Sequence, residues 1–230
     1  MDFSFLYTIN YMELFMFDIE TVCEYKDYET FLSNDERGAK LFEGKWKRMG
    51  WDQKFSLEDS YLDQGGIIST YGKICCISFG YIDDNNKSQV RSIYDEDECK
   101  IVENFNNLLK KIEKKNFKIS GFRILHFDIV WILHKLHKYG IEPADIINIY
   151  NKKPWENRIV DMAEDWKGKF AYSYSFDEMV YELGVNSPKD NMNGSQVQEY
   201  FYSGRIEEIK EYCEKDVLAC IEVSKIIYKK

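Results

Sequence analysis

A chain of 230 residues, 44% hydrophobic and 31% charged, has the composition of a folded globular protein and excludes an intrinsically disordered one. No run of about 18 apolar residues occurs, which excludes a transmembrane helix, and the first ten residues carry no basic side chain, which excludes a secretory leader and points to the cytoplasm. The net charge of −9 argues against a generic polyanion binder, yet residues 100–170 hold 14 Lys or Arg against 9 Asp or Glu, either a solvated face or a local track for phosphates.

Leu14 to Ile19 is an almost continuous apolar run ending in acid, the pattern of a strand buried on both faces. Residues 23–66 are polar and read as a helical excursion, with a helix over Ser33–Trp46 and a short one after Ser56. Ile74–Ile82 and Val90–Tyr94 are the second and third strands, joined as an antiparallel hairpin by the turn residues Asp83–Asn86. Asp95–Glu98 fits a capping pattern ahead of Ile101, Phe105, Leu108, Leu109 and Ile112 at helical spacing. Lys118–Phe122 is a fourth strand, and a helix over Asp128–Tyr139 stops at Gly140. Ile159–Met162 is a fifth strand. Ser175–Glu178 and Ser195–Gln198 read as two further capping boxes, and a long helix spans Arg205–Tyr228. A strand meander followed by alternating helices and strands specifies one α/β domain, 1–230, with a mixed sheet of about five strands flanked by helices. Residues 1–12 form an N-terminal extension in which Phe3, Phe5, Tyr7 and Tyr11 stand out.

Asp18 and Glu20 lie two apart at the end of the first strand, so both carboxylates project from one face of it. Asp216 interrupts the apolar stripe Ile209, Cys213, Cys220, Val223 and Ile227 of the last helix, and Tyr212 sits one turn before it, close enough in angle for its hydroxyl to reach the same spot. Asp128 opens a helix, where its charge also suits the helix dipole. Buried carboxylates are costly unless paired or bound to metal. Four of them without paired soft ligands suit Mg²⁺ or Mn²⁺ better than zinc. His134 and His137 share a helix but have no third soft ligand nearby, and the six cysteines contain no C-x-x-C pair and read as reduced thiols.

Three segments, F-D-I-E-T at 17–21, H-F-D at 126–128 and Y-C-E-K-D at 212–216, resemble the exonuclease motifs of the DEDD superfamily, in its tyrosine subgroup (DEDDy). Y-G-K-I-C-C-I-S-F-G at 71–80, S-F-D-E-M-V-Y-E-L-G at 175–184 and the stretch from Asn193 to Val217 look like stand-alone exonucleases related to the exonuclease domain of family B DNA polymerases. The resemblance implies a ribonuclease H-like fold and a metal-dependent 3′–5′ exonuclease acting on single-stranded or frayed DNA by a two-metal mechanism; a 3′–5′ exoribonuclease and a degenerate nucleic-acid-binding module are the alternatives. It implies that Asp18, Glu20 and Asp216 hold one ion, that Asp18 and Asp128 serve a second, that Tyr212 positions the attacking water with help from Glu20, and that Thr21 lies near the terminal nucleotide. Phe127 and Arg123 are the further substrate-binding candidates. Arg123 departs from the Asn that the family often has five residues before the middle Asp. A guanidinium accepts no hydrogen bond; it can contact a phosphate, pair with a site acid, or weaken metal binding.

Overall fold

The structure is a computed structural model that describes residues 10–150, 152–153, 156–169, 172–187 and 192–228. Phe3, Phe5 and Tyr7 of the N-terminal extension lie outside the described residues. What the extension contributes here is a 3-10 turn over Tyr11–Glu13, where the Asn10 side chain accepts from the Met12 N–H at 3.1 Å.

The apolar run at the start of the sequence is strand β1 (Leu14–Cys23), central in a five-stranded sheet of order β3-β2-β1-β4-β5. β2 (Gly72–Ile82) pairs antiparallel with β1, and β3 (Ser88–Tyr94) antiparallel with β2. β4 (Lys118–Gly121) runs parallel to β1, and β5 (Ile159–Asp161) parallel to β4. The two sides of β1 serve different cores. Phe15, Phe17 and Ile19 face helices α4 (Glu98–Ile112) and α5 (Asp128–Lys138), with Phe17 and Phe105 rings 5.1 Å apart. Leu14, Met16 and Val22 face the other way, toward α7 (Phe176–Glu182), α8 (Val197–Tyr202) and the long α9 (Ile206–Ile227). Full burial of each such side chain contributes about 1.5–3 kcal/mol. Among the described residues, no helix is long and apolar enough to cross a membrane.

The excursion holds three helices: α1 (Tyr28–Asn34), α2 (Glu36–Arg48) and α3 (Leu57–Gln64). The helix expected from Ser33 is split because Asp35 leaves helical geometry and its carboxylate caps α2, accepting from the Gly38 N–H at 2.8 Å. β1 also runs past Ile19. Thr21, Val22 and Cys23 continue the ladder against Ile74, Lys73 and Gly72 after a bulge between Glu20 and Thr21, so Asp18 and Glu20 lie within the strand and not at its end. A short helix, α6 (Met162–Lys167), follows β5 directly.

Two expected caps are replaced. The cap of α4 is Asp97, accepting from the Cys99 N–H at 3.0 Å, while Glu98 turns into the core. Before α8 the box is Asn193–Gln196, and Ser195 lies inside the turn. Glu98 is 4% exposed. Its carboxylate accepts from the Ile74 N–H and the Tyr139 hydroxyl, each at 2.7 Å, and pairs with the Lys135 and Lys138 ammonium groups, each at 3.2 Å. Lys135, 2% exposed, also donates to the Gly72 carbonyl. Burial pulls the Lys135 ammonium below its ordinary pKa, and Glu98 opposes that shift. The network joins α4, α5 and the start of β2. Removing one member of a buried pair strands the other charge, so Glu98→Ala is expected to cost about 3–5 kcal/mol in urea unfolding. Glu98→Gln, which still accepts from Ile74, should cost less; equal losses for the two would show that charge is not what the network supplies.

Candidate active site

Asp18 and Glu20 alternate with the buried residues of β1 and share the face turned to α9, in one row with Met16 and Val22. The bulge after Glu20 gives β2 the extra residue Cys75, which sharpens the local twist beside the acids. Asp128 arrives from the other layer as the first residue of α5. It is 4% exposed, and its Oδ1 accepts from the Ile19 N–H at 3.1 Å, between Asp18 and Glu20. Asp216 reaches the cluster from α9, where its charge acts on Asp18, on Glu20 and on the Tyr212 phenol one turn before it. Cys213 Sγ lies 3.5 Å from both the carbonyl oxygen and Oδ2 of Asp18. One donor atom each of Asp18, Glu20 and Cys213 falls within 4.8 Å of the others.

The five residues singled out for catalysis therefore lie together, drawn from three elements. Their electrostatics carry the mark of crowding. Burial pushes the Asp18 carboxyl well above the usual carboxylate range, and the Asp128 and Asp216 charges push it further. Glu20 is raised by burial and then by Asp18 and Asp216. Burial pushes Asp128 up to about 7. The Tyr212 phenol is raised by burial first and by Asp216 second, so it keeps its proton. Glu20 is 8% exposed and accepts no hydrogen bond from any described residue. A buried carboxylate among like charges and without a donor fits a hard divalent cation.

The substrate-binding candidates are placed differently. Thr21 donates its hydroxyl to the Gly66 carbonyl at 2.6 Å, which ties β1 to the 3-10 turn Gly65–Ile67 that ends the excursion. Phe127 is half-buried just before α5, its ring 5.7 Å from that of Trp131. Arg123 is exposed, and its guanidinium donates to the Ser173 hydroxyl and, at 2.8 Å, to the Tyr174 carbonyl. Among the described residues it pairs with no acid of the cluster. His126 is exposed with Nε2 3.4 Å from Glu164, His134 shares a 2.7 Å hydrogen bond with Ser69, and His137 packs on Tyr150.

Sequence reasoning missed the groups that hold these residues in place. Asp161, 4% exposed at the end of β5, accepts from the Arg123, Leu125 and Ala163 N–H groups, each at 3.0 Å. It fixes the turn that delivers Asp128, a turn in which Arg123 adopts φ 61°. That conformation costs a residue other than glycine about 1 kcal/mol or more. Gly121 opens the turn because a Cβ there would meet Ile124 at 2.4 Å and the Phe17 carbonyl at 2.7 Å. An acid closing a short apolar strand was the signal for Asp161, the same one that exposed Asp18. Gln198 Oε1 accepts from the Cys23 N–H at 2.8 Å and ties α8 to β1, with no local signal at all.

A mixed five-stranded sheet with carboxylates converging on its central strand is a ribonuclease H-like fold. Residues 67–223 match the family described as a predicted 3′–5′ exonuclease related to the exonuclease domain of PolB, and the chain belongs to that family. An alignment 129 residues long, covering 46% of this chain, is 22% identical to the putative DNA polymerase 060R of Frog virus 3 (isolate Goorha), of which it covers 13%. Its fold is similar to part of the family B DNA polymerase from the hyperthermophilic archaeon Pyrobaculum calidifontis, with a TM-score of 0.57 and 14% identity over 92% of this chain and 24% of the polymerase. The chain thus spans only a small part of either polymerase. Exonuclease domains of this kind use divalent metals.

The raised carboxyls set a pH dependence. Without metal, the folded protein holds protons at Asp128 between the ordinary carboxylate value of 3.8 and about 7 that the unfolded chain has released. Metal-free stability should therefore fall as pH rises through that window. Asp18 and Glu20 act in the same direction. Added Mn²⁺ should raise the unfolding temperature most at the upper end, where the carboxylates are charged. A metal-free unfolding temperature that climbs across the window would contradict a desolvated cluster.

Proposed function

We propose that the chain works as one 3′–5′ exonuclease domain that hydrolyses the terminal phosphodiester at 3′ ends of single-stranded or frayed DNA. The observation that carries this reading is the meeting of Asp18, Glu20, Asp128 and Asp216 with the Tyr212 hydroxyl on the central strand. Asp18, Glu20 and Asp216 would hold one divalent ion, and Asp18 with Asp128 a second. When bound, a pair of Mg²⁺ or Mn²⁺ ions supplies a more acidic water and offsets the charge that builds on the phosphate and the leaving oxygen.

The protein's own part is orientation. The Tyr212 phenol, kept protonated by burial and the acids beside it, is a donor that fixes the lone pairs of the attacking water. Glu20, which accepts no hydrogen bond from another described residue, accepts from the same water. The water oxygen bonds to phosphorus as the bond to the 3′ oxygen breaks. The shortened strand leaves with a 3′ hydroxyl and the nucleotide with a 5′ phosphate; of the two water protons, one is matched by the proton the 3′ oxygen takes up from solvent and the other is released. Thr21 has spent its hydroxyl on Gly66, so it would meet the terminal nucleotide through its methyl group, and the half-buried ring of Phe127 is the second candidate contact. Arg123 turns to Ser173 and Tyr174 and leaves the field of the acids unopposed, which favours an active site over a degenerate one.

The test is a 5′-labelled single-stranded DNA oligomer with Mn²⁺, beside a chelator control and a ribo-oligomer of the same sequence. A ladder shortening from the 3′ end is expected, absent with chelator. Asp18→Ala or Asp216→Ala should lower the rate by about 10³-fold or more while the protein stays folded, and Tyr212→Phe by about 10²-fold without loss of metal binding. Full activity in Asp18→Ala would overturn the assignment. Faster loss of the ribo-oligomer would keep the chemistry and change the substrate.

A further inference from the structure

Four buried or half-buried lysines rest against carboxylates: Lys135 on Glu98, Lys152 on Asp145, Lys210 on Glu214 and Lys225 on Glu222. Lys73 is one of several that do not, and it differs in lying on aromatic rings beside the acid cluster. It is half-buried, and no described carboxylate pairs with it. Its ammonium lies over two rings of α8, 4.7 Å from the centroid of Phe201 and 5.5 Å from that of Tyr202. Such contacts hold a cation in place while leaving its N–H donors unspent.

The position is specific. Lys73 stands opposite Val22 in the β1–β2 ladder, and Val22 follows Glu20 on the same face of the strand, roughly 7 Å along. Phe201, beneath the ammonium, packs on the cluster formed by Val22, Tyr212 and Cys213. Tyr202 is fixed by its hydroxyl, which donates to the carbonyls of Cys23 and Glu24 at 2.9 and 2.8 Å, and its side is 38% exposed. An uncompensated cation and an open aromatic ring therefore border a cluster of four acids. That cluster repels any phosphate chain that has to approach it.

We propose that Lys73 and Tyr202 form a subsite for the single strand leading into the acid cluster: the ammonium takes a phosphodiester upstream of the scissile one, and the exposed side of the Tyr202 ring stacks on a base. This subsite rests on the exonuclease reading above. It makes single-stranded nucleic acid, and not a free nucleotide, the preferred ligand.

The test measures binding of a fluorescent single-stranded DNA oligomer by anisotropy across a salt series, with Ca²⁺ in place of the ions expected to support cleavage. Lys73→Gln should weaken binding about tenfold, the size of one charge-assisted contact. It should also reduce the slope of log affinity against log salt by about 0.7, the loss of one phosphate contact on a single strand. Lys73→Arg should retain both, and in cleavage assays Lys73→Gln should raise KM more than it lowers kcat. Wild-type affinity and slope in Lys73→Gln would overturn the subsite, as would equal losses in the Arg and Gln variants, which mark a role in packing only. If the wild-type protein neither binds nor cleaves, the exonuclease reading itself fails; cleavage by wild type with an indifferent Lys73 removes the subsite alone.

Discussion

Four carboxylates of one sign, held close together and largely out of water, are the constraint that the rest of this fold answers to. Two unit charges about 4 Å apart repel by roughly 4 kcal/mol at the effective dielectric near a protein surface. A flexible chain would relieve that by moving the groups apart. Here each acid comes from an element that cannot move alone: Asp18 and Glu20 from the central strand, Asp128 from the start of α5, and Asp216 from the long α9. The Ile19 N–H locks Asp128 to the strand, Asp161 locks the turn before it, and the Glu98–Lys135 pair locks the helix behind it. The positive charges of that frame lie on the far side of the sheet from α9, so they brace the cluster without neutralising it.

The parts of the site legible in the sequence were those that obey a local period. Alternation along a strand put Asp18 and Glu20 on one face, and helical spacing put Asp216 and Tyr212 among the inward residues of α9. The illegible parts were decided by partners far along the chain. Two capping patterns failed in the same way. Glu98 was expected to serve its own helix end, but Lys135 and the Ile74 N–H claim it. Gln198 was expected to close a box with Ser195, but the Cys23 N–H claims it, and the overlapping pair Asn193 and Gln196 caps the turn instead. A short motif states what a side chain can do locally; a stronger distant partner decides what it does. Lys73 was silent for a related reason. Nothing in its neighbours reveals that two rings 128 and 129 residues later will cover it.

Charge balance explains how an acidic protein can still meet a polyanion. The net charge of −9 belongs to the chain as a whole, while residues 100–170 carry a basic excess. Attraction for a phosphate chain must then be local and short-ranged, and screened within about 8–10 Å at physiological salt. Arg123 shows how narrow the tolerance is. The same guanidinium turned toward the cluster would oppose the charge of its acids. The left-handed turn at this residue and its contacts with Ser173 and Tyr174 send it to the outer surface.

The excursion between β1 and β2 has an aromatic core of its own, with Phe31, Phe42, Tyr61 and Tyr71 packed around Ala39 and Cys23. The entropic cost of closing a loop grows only as the logarithm of its length, about 0.6 kcal/mol for each doubling. A segment that supplies its own packing, and is stitched to the sheet at its two ends by contacts such as Thr21 to Gly66 and Cys23 to Tyr61, is thermodynamically semi-independent. It can lengthen, shorten or be replaced while the ladder that carries the acids keeps its register. Such a segment is the natural place for relatives to diverge, and the family match begins at residue 67, where the excursion ends.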